Sequence, residues 1–119
     1  MRLTKLRPMF WVDDVKATIN YYTSVLGFTH GNNLPNWGWG FVFRDEVEFM
    51  FAKPGEHFPY NSMQFSGSIY LNTDNVNGWW ELLKDKAEIF YPIENMEYNM
   101  REFAIKDCNG YILQFGQEI

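Results

Sequence analysis

The run WVDDVKATINYYTSVLGF, residues 11–28, leaves a strand, enters a helix and stops on a glycine. Asp13 and Asp14 are residues that cap helix N-termini through their side-chain oxygens. Val15, Ile19, Tyr22 and Val25/Leu26 then recur at helical spacing, and Gly27 stands where a C′ glycine ends a helix. The first five residues, WVDDV (11–15), correspond to NTDNV (72–76) at an offset of 61 residues. That second copy opens DNVNGWWELLKDK (74–86), capped by Asp74 and Asn75. Val76, Trp79, Trp80 and Leu83 follow at i, i+3, i+4 and i+7, an apolar face that packs on a sheet.

Outward from the two helices, the flanking segments also match. LRPMFWV (6–12) and SGSIYLNT (66–73) read as the strands that enter them. WGFVF (39–43) and VEFMF (47–51) read as a hairpin across the tight turn Asp45-Glu46. REFAIK (101–106) and YILQFG (111–116) form its equivalent, with turn formers Asp107, Asn109 and Gly110 between them. One further strand per half, around 28–33 and 88–92, is weakly marked. The pattern predicts an α+β fold of two βαβββ modules, about 5–53 and 65–118, forming a curved mixed sheet with helices outside. Segment 54–64, polar and proline-containing, is the connector within a single 1–119 domain. Two copies of about 60 residues do not make a solenoid.

Composition narrows the function classes. The 119 residues are 46% hydrophobic and 19% aromatic, more rings than a small core normally needs; an aromatic-rich core explains most of them, and some are expected to line a ligand site or an interface. A net charge of −5 argues against general affinity for nucleic acid or anionic membrane. The single cysteine, Cys108, excludes an internal disulfide and a cysteine-cluster metal site, and no histidine lies near it in sequence to activate it. The N-terminal MRLTKLRPMFWVDDV lacks a signal-peptide core and no run reaches membrane-spanning length, so a cytoplasmic chain is expected. There is no G-x-S-x-G, P-loop or G-x-G-x-x-G.

Two stretches carry a family likeness. PMFWVDDVKATINYYTSVLGF (8–28) resembles the opening of the glyoxalase/bleomycin-resistance/extradiol-dioxygenase (vicinal oxygen chelate) superfamily. MREFAIKDCNGYILQFGQ (100–117) resembles its closing hairpin, with Cys108 where the family usually has proline. Among its branches, the likeness is greatest to the bleomycin-resistance type. That resemblance implies a homodimeric, metal-free protein that sequesters a bleomycin-like or other aromatic or cationic compound without changing it chemically. The alternative is a metal-dependent lyase, isomerase or dioxygenase of the same superfamily.

Metal-dependent members, by the same resemblance, place His, Gln or Glu ligands on the first and last strands of each half. Carried onto this chain, those positions fall at or beside Arg7 and Ser68, near Glu48, and at Gln114. A cation, a hydroxyl and a neutral amide are a poor set for a divalent ion, and His30 and His57 stand outside those positions. No metal, cofactor or catalytic residue is therefore expected, and the small-molecule ligand and a second copy of the chain are the expected partners. Strand alternation puts Val47, Phe49 and Phe51 toward the helix and Glu48 and Met50 on the other face. A two-residue turn pairs Phe43 with Glu48 and Phe41 with Met50, and Trp39 and Trp37 continue the row. This aromatic wall with one carboxylate suits a flat or cationic ligand. Tyr70 and Gln114 on their strands, and Tyr60, Tyr98 and Met100 at the rim, complete the expected ligand-binding set. A purely interfacial role for the aromatic face is the remaining reading.

Overall fold

A computed structural model describes residues 1–55 and 61–119 of the chain. Tyr60 and His57 lie outside the described residues, so the rim role expected of Tyr60 has no structural account. The chain divides into two compact units, Met1–Met63 and Gln64–Ile119.

The first unit runs β1 (Met9–Trp11), α1 (Val15–Ser24), β2 (Thr29–Asn33), β3 (Trp39–Arg44) and β4 (Val47–Ala52). Its sheet has the order β1-β4-β3-β2, with β1 parallel to β4 and the other pairs antiparallel. The second unit repeats the plan with β5 (Ile69–Asn72), α2 (Val76–Leu83), β6 (Glu88–Asn95), β7 (Met100–Lys106) and β8 (Ile112–Glu118). Its order is β5-β8-β7-β6, again with one parallel pair, β5 with β8. The α+β class and the two βαβββ modules stand as the sequence predicts, including the weakly marked strands β2 and β6. Strands β1 and β5 are shorter than expected because only their ends pair with a neighbour.

Local chemistry explains where each helix starts and stops. Asp14 Oδ1 accepts the Ala17 N–H at 2.9 Å, and Asn75 Oδ1 accepts that of Gly78 at 2.9 Å, so one of the two expected acceptors caps each helix. Gly27, at φ +74°, takes the left-handed conformation that lets the Phe28 N–H bond back to the Tyr22 carbonyl at 2.9 Å. A second anchor belongs to the closing motif: Gln117 Oε1 accepts the Val76 N–H, a donor in the first turn of α2, at 3.0 Å.

Each helix lies on an aromatic layer. In the first unit Tyr22 is fully buried and meets Phe51 at 4.7 Å, Phe28 at 5.7 Å and Phe49 at 5.8 Å between ring centroids. In the second, Trp79 lies on Phe115 at 5.0 Å, Trp80 meets Phe103 edge-on at 5.3 Å, and Phe103 stacks on Phe115 at 5.1 Å. Buried rings of this size contribute about 1.5–3 kcal/mol each, so much of the aromatic content goes into two cores. The faces of the sheets turned away from the helices remain for function.

Candidate functional site

On the helix-free face of the first unit, the β3–β4 register sets Trp39 against Ala52, Phe41 against Met50 and Phe43 against Glu48. The two-residue turn that fixes this register has Asp45 at φ +52°, a conformation in which aspartate is several-fold enriched. Trp39 and Phe41 are half-buried with rings 5.6 Å apart, and Phe43 is 40% exposed. A bulge between His30 and Asn32 makes room for them: a side chain at Gly31 would collide with the Phe41 ring. Met9 and Trp11 on β1 extend the same surface, at 47% and 36% exposed.

Trp37 leaves this row. The chain turns over Leu34–Trp37, closed by the Trp37 N–H on the Leu34 carbonyl at 2.9 Å, and Trp37 sits at φ +57°. Its ring stacks on His30 at 5.8 Å, with the Lys16 ammonium 5.6 Å from its centroid. Alternation could not foresee this, because it holds only inside a strand and β3 begins at Trp39.

Glu48 also differs from its expected role. The Lys5 ammonium bonds to its Oε2, and the Arg7 guanidinium lies 2.7 Å from Oε1 and 5.3 Å from the Phe41 centroid. The Lys5 hydrogen bond foremost, then the Arg7 charge, hold the carboxyl below its usual range against the opposing effect of desolvation. Two cations around one anion leave the cluster with a net charge of about +1. Glu48 is therefore not an open carboxylate for a cationic ligand.

The helix-free face of the second unit is built on a different principle. Glu102 on β7 is fully buried. Its Oε2 accepts the Tyr91 hydroxyl at 2.8 Å and, more weakly, Gln114 Nε2 at 3.4 Å, while Oε1 accepts the Tyr98 hydroxyl. Gln114 Nε2 also donates to the Tyr91 oxygen at 2.8 Å, and Gln114 Oε1 accepts the Ser68 hydroxyl. Ser68, Gln114 and Tyr91 thus form a directed chain of donors that ends on the carboxylate. Burial first, and the Glu102 charge and hydrogen bond after it, push the Tyr91 hydroxyl up to about 12, opposed by the bond from Gln114. Tyr70, paired with Gln114 across β5–β8, is raised by the same two influences in the same order. Met100 begins β7 opposite Glu118, two residues from Glu102, and no contact to the network is resolved for it.

The structure thus brings Tyr70, Tyr98 and Gln114 together around Glu102, a residue that sequence reasoning missed. Its signal was present: a glutamate between Arg101 and Phe103 in a strand whose neighbours are apolar. Alternation places Glu102 on the helix-free face with Ala104, where a lone charge ordinarily means solvent.

Strand register also corrects the pairing of positions between modules. Met9 pairs with Met50 as Tyr70 pairs with Gln114, so the counterpart of Gln114 is Met50 rather than Glu48. The turn between Asp107 and Tyr111 holds three residues where the Arg44–Val47 turn holds two, and the extra residue shifts every later position by one. Asp107 Oδ1 secures that longer turn by accepting the N–H groups of Asn109 and Tyr111 at 2.9 and 2.8 Å.

A divalent ion does not fit the positions where metal-dependent relatives would bind one. Arg7 and Glu48 are an ion pair, Ser68 and Gln114 bond to one another, and methionine stands at the Gln114 counterpart. Among the described residues no group of three His, Cys, Asp or Glu converges as a metal site. Nor is any helix among them long and apolar enough to cross a membrane.

A sequence profile of the Glyoxalase/Bleomycin resistance protein/Dioxygenase superfamily matches residues 6–115. No curated protein gives a significant match. Among solved structures, a member of that superfamily from Sphaerobacter thermophilus is similar with a TM-score of 0.82 at 17% identity, covering 98% of each chain. A bleomycin-binding protein from Streptomyces verticillus, complexed with copper(II)-bleomycin, gives 0.73 at 16% identity, covering 97% of this chain and 96% of its own. Lactoylglutathione lyase from Agrobacterium tumefaciens gives 0.70 at 14%, covering 96% and 92%. At such identities these likenesses carry the fold alone, and the same fold serves both a binding protein and a lyase.

Proposed function

The chain belongs to the Glyoxalase/Bleomycin resistance protein/Dioxygenase superfamily, and from that premise we propose that it is a small-molecule binding protein of the bleomycin-resistance type. It sequesters an aromatic compound without transforming it, acts in the cytoplasm and works as a homodimer. The observation that carries this reading is the aromatic surface of Trp39, Phe41 and Phe43, left open on the helix-free face. Within its own unit it stands with the ligand-type positions occupied by Arg7 and Met50; in the second unit those positions are occupied by Ser68 and Gln114. Rings supply affinity by stacking and by apolar burial, and the Arg7 guanidinium lying near Phe41 holds one edge of that surface in place. The lyase, isomerase or dioxygenase alternative needs three or four donors converging on an ion, and the donor set does not favour it.

The test has two arms. Protein purified without chelator should carry no stoichiometric divalent ion, and a full equivalent of one would sink the binding reading. Metal-free bleomycin and a panel of aromatic compounds should include at least one that raises the unfolding temperature by mass action and quenches tryptophan fluorescence saturably. Trp39→Ala should abolish that saturation, and unchanged affinity in this variant would remove Trp39 from the site. Sedimentation at twice the chain mass tests the dimer.

A further inference from the structure

Buried carboxylates in proteins are normally matched by a cation, because hydroxyl and amide dipoles alone replace lost hydration incompletely. Glu102 is fully buried, and among the described residues no cationic side chain is within ion-pair distance of it. Its sequence neighbour Arg101 lies on the opposite side of the strand and donates to Asn77 and Asn95 at 2.9 Å each. Lys106, on the same face, places its ammonium 5.4 Å from the Phe90 centroid. The negative charge is therefore held only by neutral donors.

The surroundings have the form of a receptor for an organic cation. Across from Glu102 on β8, and two residues further along β7, this face carries the small residues Gly116 and Ala104. A side chain at Gly116 would collide with the Tyr70 hydroxyl, so the glycine lets that ring lie over the sheet beside the carboxylate. Tyr70, Tyr91 and Tyr98 thus surround the acid with aromatic rings, and rings attract cations through their negative faces. Tyr98 is the outermost of them, at 61% exposed, and only its hydroxyl reaches Glu102 Oε1.

The geometry points to Glu102 as the charge-selecting group of a site for an organic ammonium ion on the helix-free face of the second unit. The ammonium takes the carboxylate oxygen now served by the Tyr98 hydroxyl, and the tyrosine rings flank its substituents. The site moves cation selection from Glu48, whose charge Lys5 and Arg7 already satisfy, to a residue in the other unit. This inference rests on the small-molecule binding reading above and specifies the charge of the ligand.

The matched probes naphthylmethylammonium and naphthylmethanol, titrated into the full chain and followed by amide chemical shifts and calorimetry, test it. The cation should bind at least about tenfold more tightly than the alcohol, as expected for a charge-assisted hydrogen bond in a partly desolvated site, and should shift the amides of Gln114 and Gly116. Glu102→Gln should remove the preference of the site for the cation over the alcohol. Tyr98→Phe, at an exposed side chain, removes the competing donor and should tighten the cation by about two- to fivefold, so the site stays testable even if Glu102→Gln unfolds. Alcohol binding with no cation preference, a cation preference that survives Glu102→Gln, or no tightening in Tyr98→Phe would overturn the assignment and leave the sequestration reading standing. Failure of both probes to bind saturably would overturn the two together.

Discussion

The two modules share one backbone plan and carry opposite chemistry on their helix-free faces. Strand register makes the counterparts explicit: Met9 with Tyr70, Trp39 with Glu102, Phe41 with Ala104, Met50 with Gln114, Ala52 with Gly116. In the first module these positions are sulfur, rings and a methyl group, with charge confined to the Lys5–Arg7–Glu48 cluster at the end of the row. In the second they are a tyrosine hydroxyl, an amide and a buried carboxylate, with Ala104 and Gly116 between them. On the helix side the difference vanishes, since Phe51 and Phe115 both sit in aromatic cores under a helix. The duplication therefore constrains the face that holds the fold together and leaves the other free to diverge. The reason is physical: helix-side residues must match a packed partner in volume, whereas helix-free positions lie under no helix and escape that constraint.

The largest effect expected bears on the equivalent sides. Phe51→Ala and Phe115→Ala should each cost about 3–5 kcal/mol in denaturant unfolding, as truncation of a buried ring does. A cost several times smaller in one module would break the equivalence of the cores. Next comes the polar face. A double-mutant cycle of Tyr91→Phe with Glu102→Gln should return a coupling of about 0.5–3 kcal/mol, the range for residues in one hydrogen-bond network. The same cycle at the counterpart Trp39, with Phe41, tests ring contact alone and should fall at the low end of that range. Coupling near zero at Tyr91 and Glu102 would mean that the network contributes nothing as a unit.

Titration should give the smallest effects, and the two modules should respond at opposite ends of the pH scale. Glu48 has a folded value below the ordinary 4.5, so its contribution is present above that value and is lost as pH falls through the lower folded one. Glu48→Gln should remove this acid limb, and salt should shrink it because the pair is close to solvent. Tyr91 is raised from 10.0 to about 12, so its contribution is whole below pH 10.0 and is lost as pH climbs toward about 12. Tyr91→Phe should shrink that alkaline limb to the part that the raised Tyr70 hydroxyl supplies, measured by unfolding temperature against pH. A limb of undiminished size in Tyr91→Phe would assign the effect to another group.

Much of the fold was legible because its signals are local. Asp14 and Asn75 each serve a donor three residues on, Gly27 ends α1, and the strands are only three to eight residues long. The expected pairing of Phe41 with Met50 and Phe43 with Glu48 followed from one two-residue turn. Less of the site was legible. Trp37 was lost to the row because a single left-handed residue ends alternation. Glu48 looked open because Lys5 and Arg7 lie more than forty positions away in a segment without a periodic signal. Glu102 escaped notice because its partners come from positions 91, 98 and 114, on other strands and in a turn.

The amino-acid sequence by itself determined the two βαβββ modules, the superfamily and the aromatic wealth of the chain, since caps, turns and periodicity act over a few residues. Only the tertiary structure decided which face carries the charge. One added residue in the turn between Asp107 and Tyr111 sets Gln114 against Met50 as its counterpart. The register of β5, β7 and β8 then gathers Tyr70, Glu102 and Gln114 on one face. A strand's side-chain period of two means that a slip of a single residue would have sent them to the other side. That choice is made by pairing across the sheet, beyond the reach of any short stretch of sequence.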